Sequence, residues 1–233
     1  MKFRNVAALI LFSCCVAGLM AQEPRTCKLE FQPVFGEAIL HLPGVNYSLF
    51  GTDSIQVEKL RFYASGIKLL EDDRVVWSEE NSFHLLDASE NKSLSLLLKI
   101  NSPVKFNHVT FSLGIDSLTN VSGALGDDLD PTRGMYWTWQ SGYINFKLEG
   151  KSNLCKTRNS EFHFHLGGYV SPDATIQTIS LPVQQSENIK VLMNLKNFFS
   201  SVDLSQENEI MTPGQNAMRL SKLLPKLFSV PQQ

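Results

Sequence analysis

Apolar and polar residues alternate in short runs along most of the chain. In the segment 108–114, Val109, Phe111 and Leu113 alternate with more polar residues. This period of two is typical of strands that bury one face. The same texture predicts strands at 29–35, 55–70, 74–77, 93–100, 108–114, 137–148, 161–170, 174–181 and 189–195. Short strands separated by turn residues predict an all-β fold, an antiparallel sandwich or barrel.

The C-terminal part of the chain changes to a helical period. Ala217, Leu220 and Leu224 recur at intervals of three or four residues. This spacing predicts an amphipathic helix over about 214–229 that covers an edge or an end of the sheet. Pro225 falls inside the segment and predicts a kink or a break.

The N-terminus has the pattern of an export signal. Lys2 and Arg4 precede an apolar run, and Ala21 is a small residue at a suitable cleavage position. We therefore expect a secretory signal peptide over 1–21. The alternative is a lipoprotein, because the residues before Cys14 resemble a lipobox and Cys14 would then carry the lipid.

Composition indicates one exported globular domain. The chain has 233 residues, is 43% hydrophobic and carries a formal net charge of -2. We expect a single β domain over 22–233, with its core at about 27–200, in the periplasm or at the cell surface. No basic cluster suggests nucleic acid, and no later apolar run is long enough for a transmembrane span in the mature chain. Common catalytic motifs are missing, so we do not expect an enzyme.

Two cysteines remain after cleavage at Ala21, namely Cys27 and Cys155. In an oxidising compartment such a pair is a candidate disulfide. The alternative is two buried free thiols, because the sequence does not show whether the two residues lie within bridging distance.

An aromatic segment is the first candidate for chemistry. On a strand, Met135, Trp137 and Trp139 would share one face. Such a stripe is most simply part of a core. Two indoles and a thioether also make a soft surface that is easily oxidised.

A pair of histidines is the second candidate. His163 and His165 alternate with phenylalanines, so both imidazoles would lie on one face of a strand. Imidazoles at this spacing suit copper or zinc, and His84 is a third candidate ligand from elsewhere in the chain. The alternative is a pair of partly exposed histidines without a ligand.

An acidic loop is the third candidate. Asp127, Asp128 and Asp130 lie between Gly126 and Pro131. Carboxylates of this kind bind calcium, although the spacing differs from that of an EF-hand. A solvated loop is the simpler interpretation.

Several segments together resemble the MbnP-like family, whose namesake is a periplasmic protein encoded beside methanobactin operons. The resemblance rests on GMYWTWQSGYINFKLEG at 134–150 and FHFHLGG at 162–168, with LRFYASGIKL, FSLGIDS and IMTPGQNAM in the same order. It covers roughly residues 27 to 228, nearly the whole mature chain.

The resemblance implies an exported β-rich protein that is tied to copper. In the family's best-known members a tryptophan is oxidised to kynurenine by a di-haem enzyme of the cytochrome c peroxidase type. Carried over to this chain, Trp137 or Trp139 would be oxidised. His84 and His165 would bind copper, with His163 as a neighbour or substitute. Met135 would be a soft neighbour.

This hypothesis requires imidazoles from separate strands to converge beside the two indoles. The alternative function is a non-metal binding or structural module of the cell surface. In that case Trp137 and Trp139 would be ordinary packing residues.

Overall fold

The computed structural model describes residues 25–100, 104–140 and 142–231. The predicted signal peptide and Cys14 lie outside these ranges. The strands are, in chain order, β1 (Arg25–Phe35), β2 (Ala38–Ile39), β3 (Asn46–Ser48), β4 (Ser54–Glu71), β5 (Arg74–Ser78), β6 (Phe83–Asp87), β7 (Ser95–Ile100), β8 (His108–Leu113), β9 (Tyr136–Trp137), β10 (Gly142–Ser152), β11 (Glu161–Gly167), β12 (Gln177–Pro182), β13 (Asn188–Asn194), β14 (Glu209–Ile210) and β15 (Phe228–Ser229).

The strands form two sheets, which confirms the all-β prediction. In the first sheet β1 is central, with β13 on one edge and β2 and β7 on the other. In the second sheet the order is β12-β8-β4-β10-β11-β14, and β3, β5 and β6 pair with the other edge of β4. The pairings β1 with β13 and β11 with β14 are parallel, so the sheets are mixed and not wholly antiparallel.

Among the described residues, helices are few and short: α1 (Ser117–Val121), α2 (Leu195–Phe199) and α3 (Gln215–Ser221). The predicted C-terminal helix is present but shorter than expected. It starts at Gln215 and ends at Ser221, after which Leu224–Leu227 forms one 3-10 turn and the chain pairs as β15. Pro225 explains the early end, because proline cannot donate to the preceding turn of an α-helix.

The main core lies between the sheets and is rich in phenylalanine. Phe31 of β1 meets Phe111 of β8 edge-to-face with ring centroids 5.3 Å apart, and Phe111 meets Phe228 at 5.4 Å. Alternating residues of β4, such as Leu60 and Phe62, point into this core. We call this side of the second sheet its inner face and the opposite side its outer face.

A second, smaller core lies on the outer face. It contains Tyr63 of β4 and Tyr143 of β10, together with Met135 and Trp137. The acidic loop (residues 123–134) covers it, since the Tyr63 hydroxyl donates to the Asp128 carbonyl at 3.0 Å. Aromatic rings therefore fill both sides of this part of the sheet.

Among the residues that the structure describes, no helix is both long enough and apolar enough to cross a membrane.

Candidate functional site

The outer face of β10 and β11 carries a row of polar side chains. Phe162, Phe164 and Leu166 of β11 point into the main core, so the alternate residues His163 and His165 point outward. This confirms the prediction that the histidines share one face of the strand. In the register of the sheet His165 lies opposite Lys147, and His163 lies opposite Glu149.

His165 is held by a carboxylate. Its Nε2 lies 2.7 Å from Oε1 of Glu149, and the histidine is only 5% exposed. Burial lowers the pKa of His165, whereas the hydrogen bond from His165, assisted by Lys59, holds the pKa of Glu149 well below its usual range. At neutral pH the imidazole is therefore uncharged and donates from Nε2, because an ionised carboxylate only accepts.

This arrangement leaves Nδ1 of His165 as a free acceptor. A neutral imidazole whose second nitrogen is bonded to a carboxylate is the usual form of a metal-binding histidine. Glu149 also accepts from Lys59 at 2.8 Å, and Lys147 Nζ lies 3.5 Å from it. The orientation of the His165 ring is thus fixed by a network of charges.

Trp137 packs directly beside this network. The indole lies over Gly167, two residues after His165 on the same face of β11. A Cβ atom at Gly167 would lie 2.6 Å from Cζ3 of Trp137, so only glycine permits this approach. Gly167 and His165 are about 7 Å apart along the strand, so the buried indole lies over a position two residues from the neutral imidazole on the same strand face.

Trp139 does not lie on the same strand face as Trp137. Strand β9 ends at Trp137, and the following residues form a turn in which the Gln140 amide donates to the Trp137 carbonyl at 3.4 Å. The predicted single strand over 137–148 is therefore wrong at its start. The two indoles nevertheless touch, with ring centroids 5.9 Å apart, and Trp139 is 62% exposed whereas Trp137 is buried.

Met135 is fully buried in the smaller core together with Trp137. It precedes β9, and its carbonyl accepts from the Ile144 amide at 2.9 Å. Met135 and Trp137 are therefore neighbours, but they meet in a shared core and do not lie on one continuous strand.

The structure does not bring His84 to the other histidines. On β6, His84 pairs with Ala64, whose side chain faces the main core, so His84 lies on the inner face. Strands β4 and β10 lie between β6 and β11, which separates these strands by about 14 Å. His84 instead bonds Glu79, with Nε2 at 2.7 Å from Oε2. This register corrects the prediction that His84 and His165 converge.

His163 and His165 remain together on one strand face. Within the described ranges no group of three or more His, Cys, Asp or Glu residues is arranged to hold a metal. The three-histidine set predicted from the sequence is therefore not assembled. Two imidazoles on one strand face supply part of a copper site, and any third donor must come from another kind of group.

Two carboxylates of the acidic loop, those of Asp128 and Asp130, have structural partners. Asp128 Oδ2 accepts from the Leu85 amide at 3.1 Å and ties the loop to β6. Asp130 accepts from both the amide and the hydroxyl of Thr132. These contacts engage two of the three predicted carboxylates, and within the described residues no group of three or more His, Cys, Asp or Glu is arranged to hold a metal, so the structure does not assemble the predicted calcium site.

Cys27 and Cys155 are both buried free thiols. Cys27 lies on β1 of the first sheet, where its Sγ donates to the Ser186 carbonyl at 3.4 Å. Cys155 follows the end of β10 in the second sheet. The predicted disulfide is therefore not formed, and the alternative of two buried thiols applies.

Two important residues were not predicted from the sequence, namely Glu149 and Gly167. Both lie in the segments that carry the family resemblance. Glu149 lies two residues after Lys147, so alternation along the strand places it on the outer face. This position is the only signal for Glu149 that the sequence offered. Its contact with His165 depends on the pairing of β10 with β11.

Comparison with known proteins agrees with this architecture. A structure described as MbnP from Methylosinus trichosporium superposes with a TM-score of 0.60 over 79% of this chain and 80% of that chain, at 16% sequence identity. The search of curated protein sequences gave no significant match. The family model described as MbnP matches residues 24–212. This match covers most of the chain, and the chain therefore belongs to the MbnP family.

Proposed function

We propose that this chain is an exported copper-binding protein of the bacterial cell envelope. His165 and His163 supply imidazole ligands, and oxidation of Trp137 supplies a further donor. One observation carries this proposal: the indole of Trp137 packs over Gly167, which lies two residues from the neutral, carboxylate-held His165 on the same face of β11. Membership in the MbnP family supports it, because the family's namesake is associated with methanobactin, and the periplasm is the expected location.

The chemistry of the donors supports copper. Neutral imidazole and an aromatic amine are borderline nitrogen donors that suit both Cu(I) and Cu(II). Kynurenine, the ring-opened product of tryptophan, carries such an amine and a ketone. Glu149 fixes the His165 ring so that Nδ1 stays available, which lowers the entropic cost of binding.

Of the two tryptophans, Trp137 is the better candidate for the modified residue. Trp139 is the better candidate for the contact with the oxidising enzyme. Conversion of tryptophan to kynurenine and formate removes four electrons, and two molecules of hydrogen peroxide reduced by a di-haem enzyme balance this oxidation. Such an enzyme cannot reach the buried Trp137 directly. The exposed Trp139 touches it at 5.9 Å between centroids and offers a redox-active contact at the surface.

Exposed apolar residues near Trp139 support a partner surface there. Leu118 and Val121 of α1 are 77% and 71% exposed. Asn120 of the same helix accepts from the Tyr143 amide at 2.9 Å, which places α1 beside the start of β10, next to the turn that carries Trp139. Such clusters mark protein interaction sites.

The test is to co-express the chain with a di-haem peroxidase-like enzyme encoded in the same genome and to measure intact mass and bound metal. We expect the mass change of kynurenine formation and about one copper per chain. His165→Ala and Trp137→Phe should lose most of the copper, and Trp139→Phe should slow the oxidation.

His84→Ala is the matched control, because His84 also bonds a glutamate but lies on the inner face. It should retain copper. Absence of copper from the oxidised wild type, or an equal loss from His84→Ala and His165→Ala, would contradict the proposal.

A further inference from the structure

Trp137 also forms part of the wall of a cavity of about 230 Å³. The cavity lies between the turn after β9, the loop after β11 and the segment that precedes α3, and its second aromatic wall is Tyr169. Liquid water occupies about 30 Å³ per molecule, so the space equals that of about seven or eight waters. This volume suits a ligand of similar size, with well under a dozen non-hydrogen atoms.

Glycines shape the cavity. A Cβ atom at Gly142 would lie 3.3 Å from Cε1 of Tyr169. Gly168 has φ +130°, and a Cβ atom there would lie 3.1 Å from the Asp173 carbonyl oxygen and 3.2 Å from Cβ of Pro213. The walls can approach one another only because these positions lack side chains, so the cavity is a consequence of the local sequence.

The described part of the cavity wall contains one acidic group and no basic one. The described residues that line it number ten, and among these Asp173 is the single carboxylate, with no Lys, Arg or His. Oδ1 of Asp173 is buried and has no hydrogen-bond partner among the described residues. A buried acceptor without a donor is costly, and a cation bound in the cavity would compensate that cost.

We propose that this cavity binds a small organic ammonium ion, held between the aromatic faces of Trp137 and Tyr169 and by the charge of Asp173. Aromatic faces attract cations through the ring quadrupole, most strongly where water is excluded. Gln140 on the rim adds a neutral polar group that can bond a substituent of the ligand. This site goes beyond the copper proposal, because it requires neither a metal nor an oxidised tryptophan.

The test uses the full mature chain, produced without a di-haem enzyme and free of copper, so that its result is independent of the copper proposal. Choline is added while the indole N–H signals are followed by NMR. The chain has three tryptophans, and Trp77 is an internal control, since its Nε1 donates to the Lys99 carbonyl at 3.2 Å on another part of the sheet. We expect a saturable shift of the Trp137 signal with a Kd on the order of 1 mM, and an unmoved Trp77 signal.

Further comparisons test whether the charge of the ligand, the Asp173 carboxylate and the aromatic ring of Tyr169 each contribute to binding. The neutral isostere 3,3-dimethylbutan-1-ol should bind at least about tenfold more weakly than choline, and Asp173→Asn should weaken choline binding by about tenfold or more. Tyr169→Leu should also weaken it, whereas Tyr169→Phe should keep it, and the Trp77 signal reports whether each variant is folded. The absence of a saturable shift in the wild type, equal binding of the neutral isostere, or unchanged affinity in Asp173→Asn would overturn the proposal.

Discussion

The contact between Gly167 and Trp137 gives the sharpest test of the site geometry. In Gly167→Ala the new Cβ would lie 2.6 Å from Cζ3 and 2.9 Å from Cη2 of Trp137, and 2.6 Å from the Tyr143 carbonyl oxygen. Ordinary contacts between carbon atoms are about 3.5–4.0 Å, so the overlap is about 1 Å. The indole and the Tyr143 backbone of β10 must therefore both shift, because the new Cβ overlaps each of them.

The magnitude follows from two opposing effects. Overpacking a filled core costs about 1–3 kcal/mol. Alanine at an extended position also reduces the entropy of the unfolded chain, which returns about 0.4–1 kcal/mol. Because two contacts must be relieved, one of them with backbone, the upper half of the overpacking range applies, and we expect a net loss of about 1–2.6 kcal/mol in the free energy of unfolding. For a chain of this size that corresponds to a fall in Tm of about 2–10 °C.

The assay is urea and thermal denaturation of the copper-free protein, combined with the NMR signal of the Trp137 indole. Gly126→Ala is the matched control, since Gly126 has φ -98° and nothing within 4 Å of its Cβ position. It should leave the free energy of unfolding unchanged or raise it by up to about 1 kcal/mol, because alanine reduces the entropy of the unfolded chain without meeting a neighbour. If Gly167→Ala matched this control and left the Trp137 signal in place, the proposed packing of the indole on β11 would be refuted.

Two further predictions concern the core and the thiols. Phe111→Ala should lower the free energy of unfolding by about 3–5 kcal/mol, because Phe111 is 1% exposed. The control Phe50→Ala, at a position 60% exposed, should change it by less than about 0.5 kcal/mol. Urea denaturation measures both values, and similar values would contradict the assignment of Phe111 to the core. Burial raises the pKa of Cys27 and of Cys155 to about 11, from an ordinary value of 9.0. The folded state then holds these protons more tightly than the unfolded state, so their contribution to stability is complete below pH 9 and is lost as the pH rises from 9 to 11. Iodoacetamide at pH 8 should modify both thiols slowly in the folded protein and rapidly in urea, as measured by intact mass; rapid modification of the folded protein, or a disulfide, would contradict the structure.

The class of fold and most strands were predictable from local pattern. Alternation in segments such as 108–114 and 161–167 reports which residues face the core, because a strand places successive side chains on opposite faces. The helical period near Ala217 predicted α3, and Pro225 predicted its interruption. The same alternation put His163 and His165 on one face. Each of these features depends only on residues that are close in sequence.

The composition of the site depended on tertiary structure. His84 and His165 are equally plausible ligands in the sequence, but the pairing of His84 with Ala64 turns its imidazole to the inner face. Glu149 reaches His165, and Trp137 reaches Gly167, only through pairing and packing of separate strands. Alternation defines the two faces of each strand. It does not determine how the faces of different strands align. Register and core packing decide that alignment, and with it which donors can meet.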